Sequence, residues 1–288
     1  MSTLTRTDKE FADLSQKDKV ASLRLVDLPS LPALLMEALQ YTDTVGDQSL
    51  TNLADKIGQD PPMVIRILRI TNSPFFGMSR EISSLRQAIV LLGLNRVRNM
   101  LLGVCFSKML PVRHKDFDYP LFWHHSMAVA DCARQLATYT GIGQDIAFTA
   151  GLLHDIGRLI IVFLFPDDFS RIINEPHPDR VETERRIIGS DHMEIGGKAA
   201  RHWNLPVAIQ EAIEQHETPP EQGDAISLGL LIYTANLLII EAEQGDDSGL
   251  ERQEAIANVL EFLDISIDQA THWANTGRQF ADQIVAIL

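Results

Sequence analysis

An all-α protein is predicted on three observations. Apolar residues recur at three- and four-residue spacings along most of the chain, no stretch keeps a period-two alternation through successive strands, and helix-starting and helix-ending residues punctuate the apolar runs. After a polar leader (1–21), LPSLPALLMEALQ (28–40) sets prolines before a helix with Leu34, Leu35 and Leu39 on one side, and SLTNLADKIGQD (49–60) reads as a short helix. Asp60 is expected to cap the next helix, with Pro61 in its first turn, where a missing N–H costs nothing; Ile65, Leu68 and Ile70 are its expected apolar contacts. That helix should stop at TNSPFFG, because the residue before Pro74 is pushed out of the α region and Gly77 permits a turn with positive φ. Asn72, Ser73, Pro74 and Phe75 are expected to end the helix and pack Phe75 and Phe76 rather than to contact a partner. SSLRQAIVLLGL (83–94) and NRVRNMLLGVCFSKML (95–110) follow as helices.

Pro111 and the polar RHKDFDYP (113–120) mark the expected boundary between an N-terminal bundle, 22–112, and a second helical domain with a C-terminal helix extension, 113–288. The second part opens on LFWHHSMAVADCARQLATYT (121–140). Further helices are expected around 144–153, 157–164, 167–174, 180–189, 192–203, 206–216, 224–242, 251–262 and 267–286, with GDDSG (245–249) as the clearest loop.

A chain of 288 residues, 45% hydrophobic, can bury a sizeable core in one unit or two. The longest apolar run noted, ISLGLLIYTANLLII (226–240), is too short to span a bilayer, and the first twenty residues have no apolar core of a signal peptide, so a cytoplasmic protein without membrane contact is expected. Cys105 and Cys132 read as helix positions rather than a disulfide framework. The net charge of −14 is uneven: residues 1–112 carry +2 and 113–288 carry −16. An acidic second half argues against a general nucleic-acid surface, which needs clustered Lys and Arg. Arg66, Arg69, Arg80, Arg86, Arg96, Arg98 and Lys108 are scattered over several helices and read as solvated or partner-facing. Residues 49–70 resemble a helix-turn-helix in outline, but PPMVIRILRI offers only Arg66 and Arg69 between apolar side chains, so core packing is the better account.

The chemistry-bearing residues begin in GLLHDIGRL (151–159), where His154 and Asp155 interrupt an apolar run; burying such groups without partners costs roughly 2–7 kcal/mol. His125 shares a helix face with Phe122, Ala128 and Cys132; His192 opens one helix, and His216 closes another. Each alone reads as a core or cap residue. Together, four histidines and one Asp within 125–216 suggest a metal site, because neutral imidazoles suit borderline transition metals and one carboxylate can bridge two ions. Such a site would activate water and clamp phosphate, with Arg158 as a bidentate phosphate contact; Arg158 reads equally well as a helix-end residue.

LPSLP, LADKIGQDPPMVIRILRITNSPFFG, AIVLLGLNRVRNMLL, FWHHS, GLLHDIG, SDHMEIGGKAARHWNLP and IEQHE, in that order over roughly 22–220, resemble the HDOD family, a signalling branch of the HD superfamily. The resemblance implies an N-terminal helical bundle joined to an HD-like domain and a regulatory role in bacterial signalling, with phosphohydrolase activity lost. His125, His154 and Asp155 match the HD pattern, and Asn236 stands where the last Asp is expected. His192 and His216 match the additional metal-binding histidines of the similar HD-GYP phosphodiesterases, but HETPP lacks the GYP signature and Arg158 replaces that group's lysine. The resulting expectation is a regulatory protein acting on signalling proteins through its N-terminal bundle. Its cavity would bind Fe, Mn, Ni or Zn through His125, His154, Asp155, His192, His216 and Asn236, and could take a nucleotide or phosphate. A metal-dependent phosphohydrolase is the alternative.

Overall fold

The computed structural model describes residues 28–40, 54–110, 114–176, 179–219, 221, 225–244 and 249–286. The expected polar leader, residues 49–53 of the short helix and positions 245–248 of the expected loop lie outside these. Among the described residues there are fourteen helices of eight residues or more and no strand. In chain order they are α1 (Ala33–Gln40), α2 (Pro61–Thr71), α3 (Leu85–Leu92), α4 (Leu94–Met109), α5 (Tyr119–Thr140), α6 (Gln144–Leu153) and α7 (Ile156–Leu164); then α8 (Pro166–Asn174), α9 (Arg180–Ile188), α10 (His192–His202), α11 (Val207–Gln215), α12 (Leu228–Gln244), α13 (Leu250–Leu263) and α14 (Ile267–Val285). Residues 54–58 are helical as well.

The punctuation works locally as the residues suggest. Asp60 accepts a hydrogen bond from the Met63 N–H at 3.0 Å, with proline in the first turn of α2. The phase of α2 is rotated from the expectation: Met63, Ile67 and Ile70 face the core, whereas Ile65 is 58% exposed. The spacing i, i+4, i+7 from Met63 leaves Ile65 on the outer side. α1 starts only at Ala33, since Pro29 and Pro32 hold the preceding residues out of the helix.

Asn72 ends α2 and closes the following turn: its amide donates to the Leu68 and Ile82 carbonyls and its Oδ1 accepts from the Ile82 N–H at 2.7 Å. Phe75 packs edge-on against Phe76 and, 5.8 Å between centroids, against Phe280 of α14. Gly77 has φ 56° and ψ 33°, the expected left-handed turn, and an added Cβ would meet nothing within 4 Å. Gly77→Val therefore tests backbone strain alone. It should destabilise the protein by about 1 kcal/mol or more and lower the melting temperature by about 2–4 °C. Gly77→Asn should cost less, because Asn tolerates the left-handed region. An unchanged melting temperature in the valine variant would contradict the backbone requirement.

One continuous cluster of buried apolar side chains runs from Leu28 to Ile284. Its axis is α5, packed along α6, α12 and α14; α10 lies against α7 and α11, while α4 joins α1, α2 and α3 to α6. Arg98 on α4 corrects the reading of the N-terminal basic residues as surface. It is buried, donates to the Ala38 carbonyl and to Asn99, and lies 3.8 Å from Asp145 on α6. A guanidinium at this depth is tolerable because carbonyl, amide and carboxylate share its donors. Arg69, Arg80, Arg86, Arg96 and Lys108 are exposed.

The expectation that no stretch is long and apolar enough to span a membrane also needs correction. Gln144–Leu164, α6 and α7 taken together across His154 and Asp155, passes by length and composition, and 83% of its most apolar window is buried inside the protein. Cys132 is buried and Cys105 half-buried; burial, then Asp60, pushes the Cys105 thiol up to about 11, so neither is poised as a thiolate.

Candidate metal centre

Four helix ends deliver the cluster. His154 follows the last residue of α6 and Asp155 precedes α7; Asp155 stands at an N-cap position yet makes no capping hydrogen bond, which leaves its carboxylate to the cluster. Asp191 performs the capping at α10, accepting from the Glu194 N–H at 2.8 Å, so that His192 begins the helix with its ring inward. His216 closes α11. His125 lies in α5, nearly two turns after its start, where Asp118 caps the helix. His154, Asp155, His192 and His216 are all buried.

The ring hydrogen bonds orient the imidazoles. His154 Nδ1 donates to the Gly151 carbonyl at 2.7 Å, His216 Nδ1 to the Ile213 carbonyl at 2.8 Å, and His192 Nδ1 to Glu184 at 2.7 Å. Each arrangement turns Nε2 toward the common space, in the manner of partners that orient metal-binding histidines. His192 and His216 Nε2 stand 3.2 Å apart, and Asp155 lies between the rings: Oδ2 is 3.6 Å from His154 Nε2, and Oδ1 is 3.5 Å from His192 Nε2 and 3.3 Å from His216 Nε2.

Two donor groups result, sharing one carboxylate. His125, His154 and Asp155 form the first; Asp155, His192, His216 and Glu217 form the second, and in each group the ligand atoms lie within 4.8 Å of one another. The residues fit a metal. His154 Nε2 is buried without any hydrogen-bond partner, and Asp155 Oδ1 has an ion pair with Arg158 but no hydrogen bond; a cation coordinated by both would satisfy them.

The charges agree with that fit. Burial drives the His154 pKa down to about 3, keeping the imidazole neutral as a ligand must be. Burial disfavours the Asp155 carboxylate, but the Arg158 guanidinium outweighs it and holds the carboxyl well below its usual range. His192 goes the other way in the absence of an ion: burial and Arg158 oppose its charge, yet Glu184 and Glu217 raise its pKa to about 9, so this imidazole gives up a proton when it binds a cation.

Asn236 of α12 stands at the site as expected, with Oδ1 3.0 Å from His125 Nε2. Arg158 is placed by its neighbours: Nε is 3.1 Å from Asp155 Oδ1, and Nη2 donates to Glu217 Oε1 at 2.8 Å. The structure thus brings together His125, His154, Asp155, His192, His216, Asn236 and Arg158. Three carboxylates escaped the sequence reading. Glu217 directly follows His216, Glu184 falls on the inward face of α9 three and four residues before Ile187 and Ile188, and Glu243 lies two turns after Asn236, 3.0 Å from His125 Nδ1. Burial disfavours the Glu243 carboxylate, but His124 and then His125 hold its carboxyl down at about 2.

A cavity of about 450 Å³ opens onto His125, Asp155 and Arg158, with Phe117, Phe122 and Phe169 among its apolar walls. This is the size and mixed character of a small-molecule site. Beside it, Ser170, His114 and Asp116 mimic a catalytic triad, with Ser170 Oγ 3.2 Å from His114 Nε2. His114 Nδ1 accepts from the Asp116 backbone N–H, however, which leaves the proton on Nε2 and the ring unable to act as a base toward serine.

Residues 28–219 match the HDOD domain model. This chain belongs to the HDOD domain family. A crystal structure of a protein from Shewanella amazonensis named as a "putative phosphohydrolase" superposes with a TM-score of 0.72 at 25% identity, covering 91% of this chain and 96% of that one. An HDOD domain protein of unknown function from Geobacter sulfurreducens superposes with a TM-score of 0.74 at 22% identity over 97% of both chains, which supports the all-helical HDOD fold. An uncharacterized protein of Treponema pallidum is 29% identical over 208 residues, 68% of this chain but 39% of that protein's length. The chain therefore spans about two-fifths of that relative, and the HDOD match ends before α12, the helix that contributes Asn236 and Glu243.

Proposed function

We propose that this HDOD chain is a cytoplasmic regulatory protein of bacterial signal transduction that works through protein contacts, with the HD-like cavity as its ligand-sensing site and little or no phosphohydrolase turnover. The observation that carries this reading is Asn236: a neutral amide, not a carboxylate, stands 3.0 Å from His125 Nε2. One negative charge fewer at a divalent site weakens Coulombic stabilisation of the cation. The N-terminal helices supply the partner surface in this reading, and Ile65, Val90 and Leu91 give it exposed apolar side chains.

The donor set favours Fe, Mn, Ni or Zn over Mg, which prefers oxygen shells. Bound there, such an ion would polarise a phosphoryl oxygen and acidify a coordinated water. The chain's own part is to aim the Nε2 atoms of His154, His216 and His192 inward through Gly151, Ile213 and Glu184, to exclude water from the buried histidines, and to place Arg158 beside the cavity.

Two assays test the reading. Phosphomonoesters, phosphodiesters and nucleotides incubated with the native chain and added Mn, Fe or Ni should show negligible hydrolysis. Asn236→Asp should bind metal more tightly, by about tenfold for one added charge interaction worth about 1.4 kcal/mol. Efficient native turnover abolished by Asp155→Ala would replace this reading with a metal-dependent phosphohydrolase, a reading supported by the two converging donor groups and by the Shewanella relative's name.

A further inference from the structure

Arg158 lies against the donor cluster, and its guanidinium is already engaged on two sides. Asp155 Oδ1 lies 3.1 Å from Nε, and Glu217 Oε1 lies 2.8 Å from Nη2. The same Glu217 oxygen is 3.3 Å from His192 Nε2 and 3.9 Å from His216 Nε2. One carboxylate oxygen thus touches both the arginine fork and the edge of the donor cluster. A phosphoryl oxygen bound over this centre would need both contacts, since guanidinium recognises phosphate through paired N–H donors and the metal position attracts the oxyanion.

We propose that Glu217 is an internal occupant of the phosphate position, and that a phosphorylated small molecule binds by displacing its carboxylate from Arg158. This rests on the reading of the cavity as a ligand site and adds what guards it. The two carboxylates on Arg158 are not equivalent. The Asp155 side chain is buried and shared between both donor groups, so it stays. That of Glu217 is 26% exposed, at the end of α11, and can swing into solvent at little cost. Its carboxylate pairs with Arg158 Nη2 at 2.8 Å and lies 3.3 Å from His192 Nε2, so it competes with an incoming anion for the same donors. A ligand with no charge has nothing to gain by entering, because it cannot replace the ion pair it would break. The occupant therefore selects for dianionic phosphate over neutral molecules of similar shape.

The test measures binding of inorganic phosphate and of phenyl phosphate by titration calorimetry. The full chain is used as purified, with bound metal quantified in every variant. Glu217→Gln should bind both probes about tenfold more tightly than the native chain, since releasing one charge-assisted hydrogen bond from competition is worth about that much. Arg158→Gln should abolish binding in either background, and Glu217→Ala should reproduce the gain, which separates loss of the charge from any effect of the glutamine amide. Native binding that is lost in Arg158→Gln but does not improve in Glu217→Gln overturns the occupant and leaves the ligand-site reading standing. Loss of bound metal in Glu217→Gln without tighter phosphate binding also overturns it, making Glu217 a metal ligand. Absence of phosphate binding in every variant overturns both.

Discussion

Gly157→Ala should lower the melting temperature by about 6–12 °C, corresponding to about 3 kcal/mol lost to overpacking. The reason is a backbone contact between helices. A Cβ on Gly157 would lie 1.8 Å from the His192 carbonyl oxygen and 2.9 Å from the Gly196 N, and neither is a flexible side-chain end that could turn away. α10 must then move off α7, taking with it the His192 imidazole that stands 3.5 Å from Asp155. Metal affinity should fall with stability, although residue 157 itself offers no ligand. Calorimetric melting and metal titration on the same variant check both effects. Gly58→Ala is the control: a Cβ there meets nothing within 4 Å, so its melting temperature should stay level or rise slightly. Equal behaviour of the two alanine variants would mean that α7 and α10 do not meet at Gly157 as closely as described.

Asp155→Asn is expected to strip metal from both donor groups. Asp155 is the residue they share, and the amide preserves its volume while removing the charge between three imidazoles and a guanidinium. Loss of residues that merely orient ligands costs 10–100-fold in metal affinity, so loss of a shared ligand should cost at least about 100-fold. Elemental analysis should find less than about a tenth of the native metal content, a fall that follows from that loss of affinity. The variant should also be less stable, since Arg158 keeps only Glu217 and a buried carboxylate held far below its usual range contributes stability that the amide lacks. Native metal content and affinity in Asp155→Asn would show that the two groups do not meet at this residue.

The same residues show what a linear reading reaches. His154 and Asp155 stand out because they interrupt an apolar run, and Asp60, Pro61, Pro74 and Gly77 place helix starts and stops through local backbone chemistry. Most helices of the second half consequently fall within a few residues of their expected limits. Four histidines and an Asp near helix ends within 125–216 predict a shared site, and the structure brings them together.

Other features depended on which helix lies against which. Ile65 reads as a core residue until α2 is rotated by the packing of Met63, Ile67 and Ile70. Arg98 reads as surface until α1 and α6 close over it with the Ala38 carbonyl and Asp145. Glu217 sits beside His216 in plain view, yet its meaning comes from Arg158, 59 residues earlier. Glu243 likewise meets His125 across 118 residues. Helical periodicity is a property of neighbours three and four apart and can be read along one strand of text. Partners for a buried charge are chosen by desolvation across packed elements, and that choice exists only once the chain has folded.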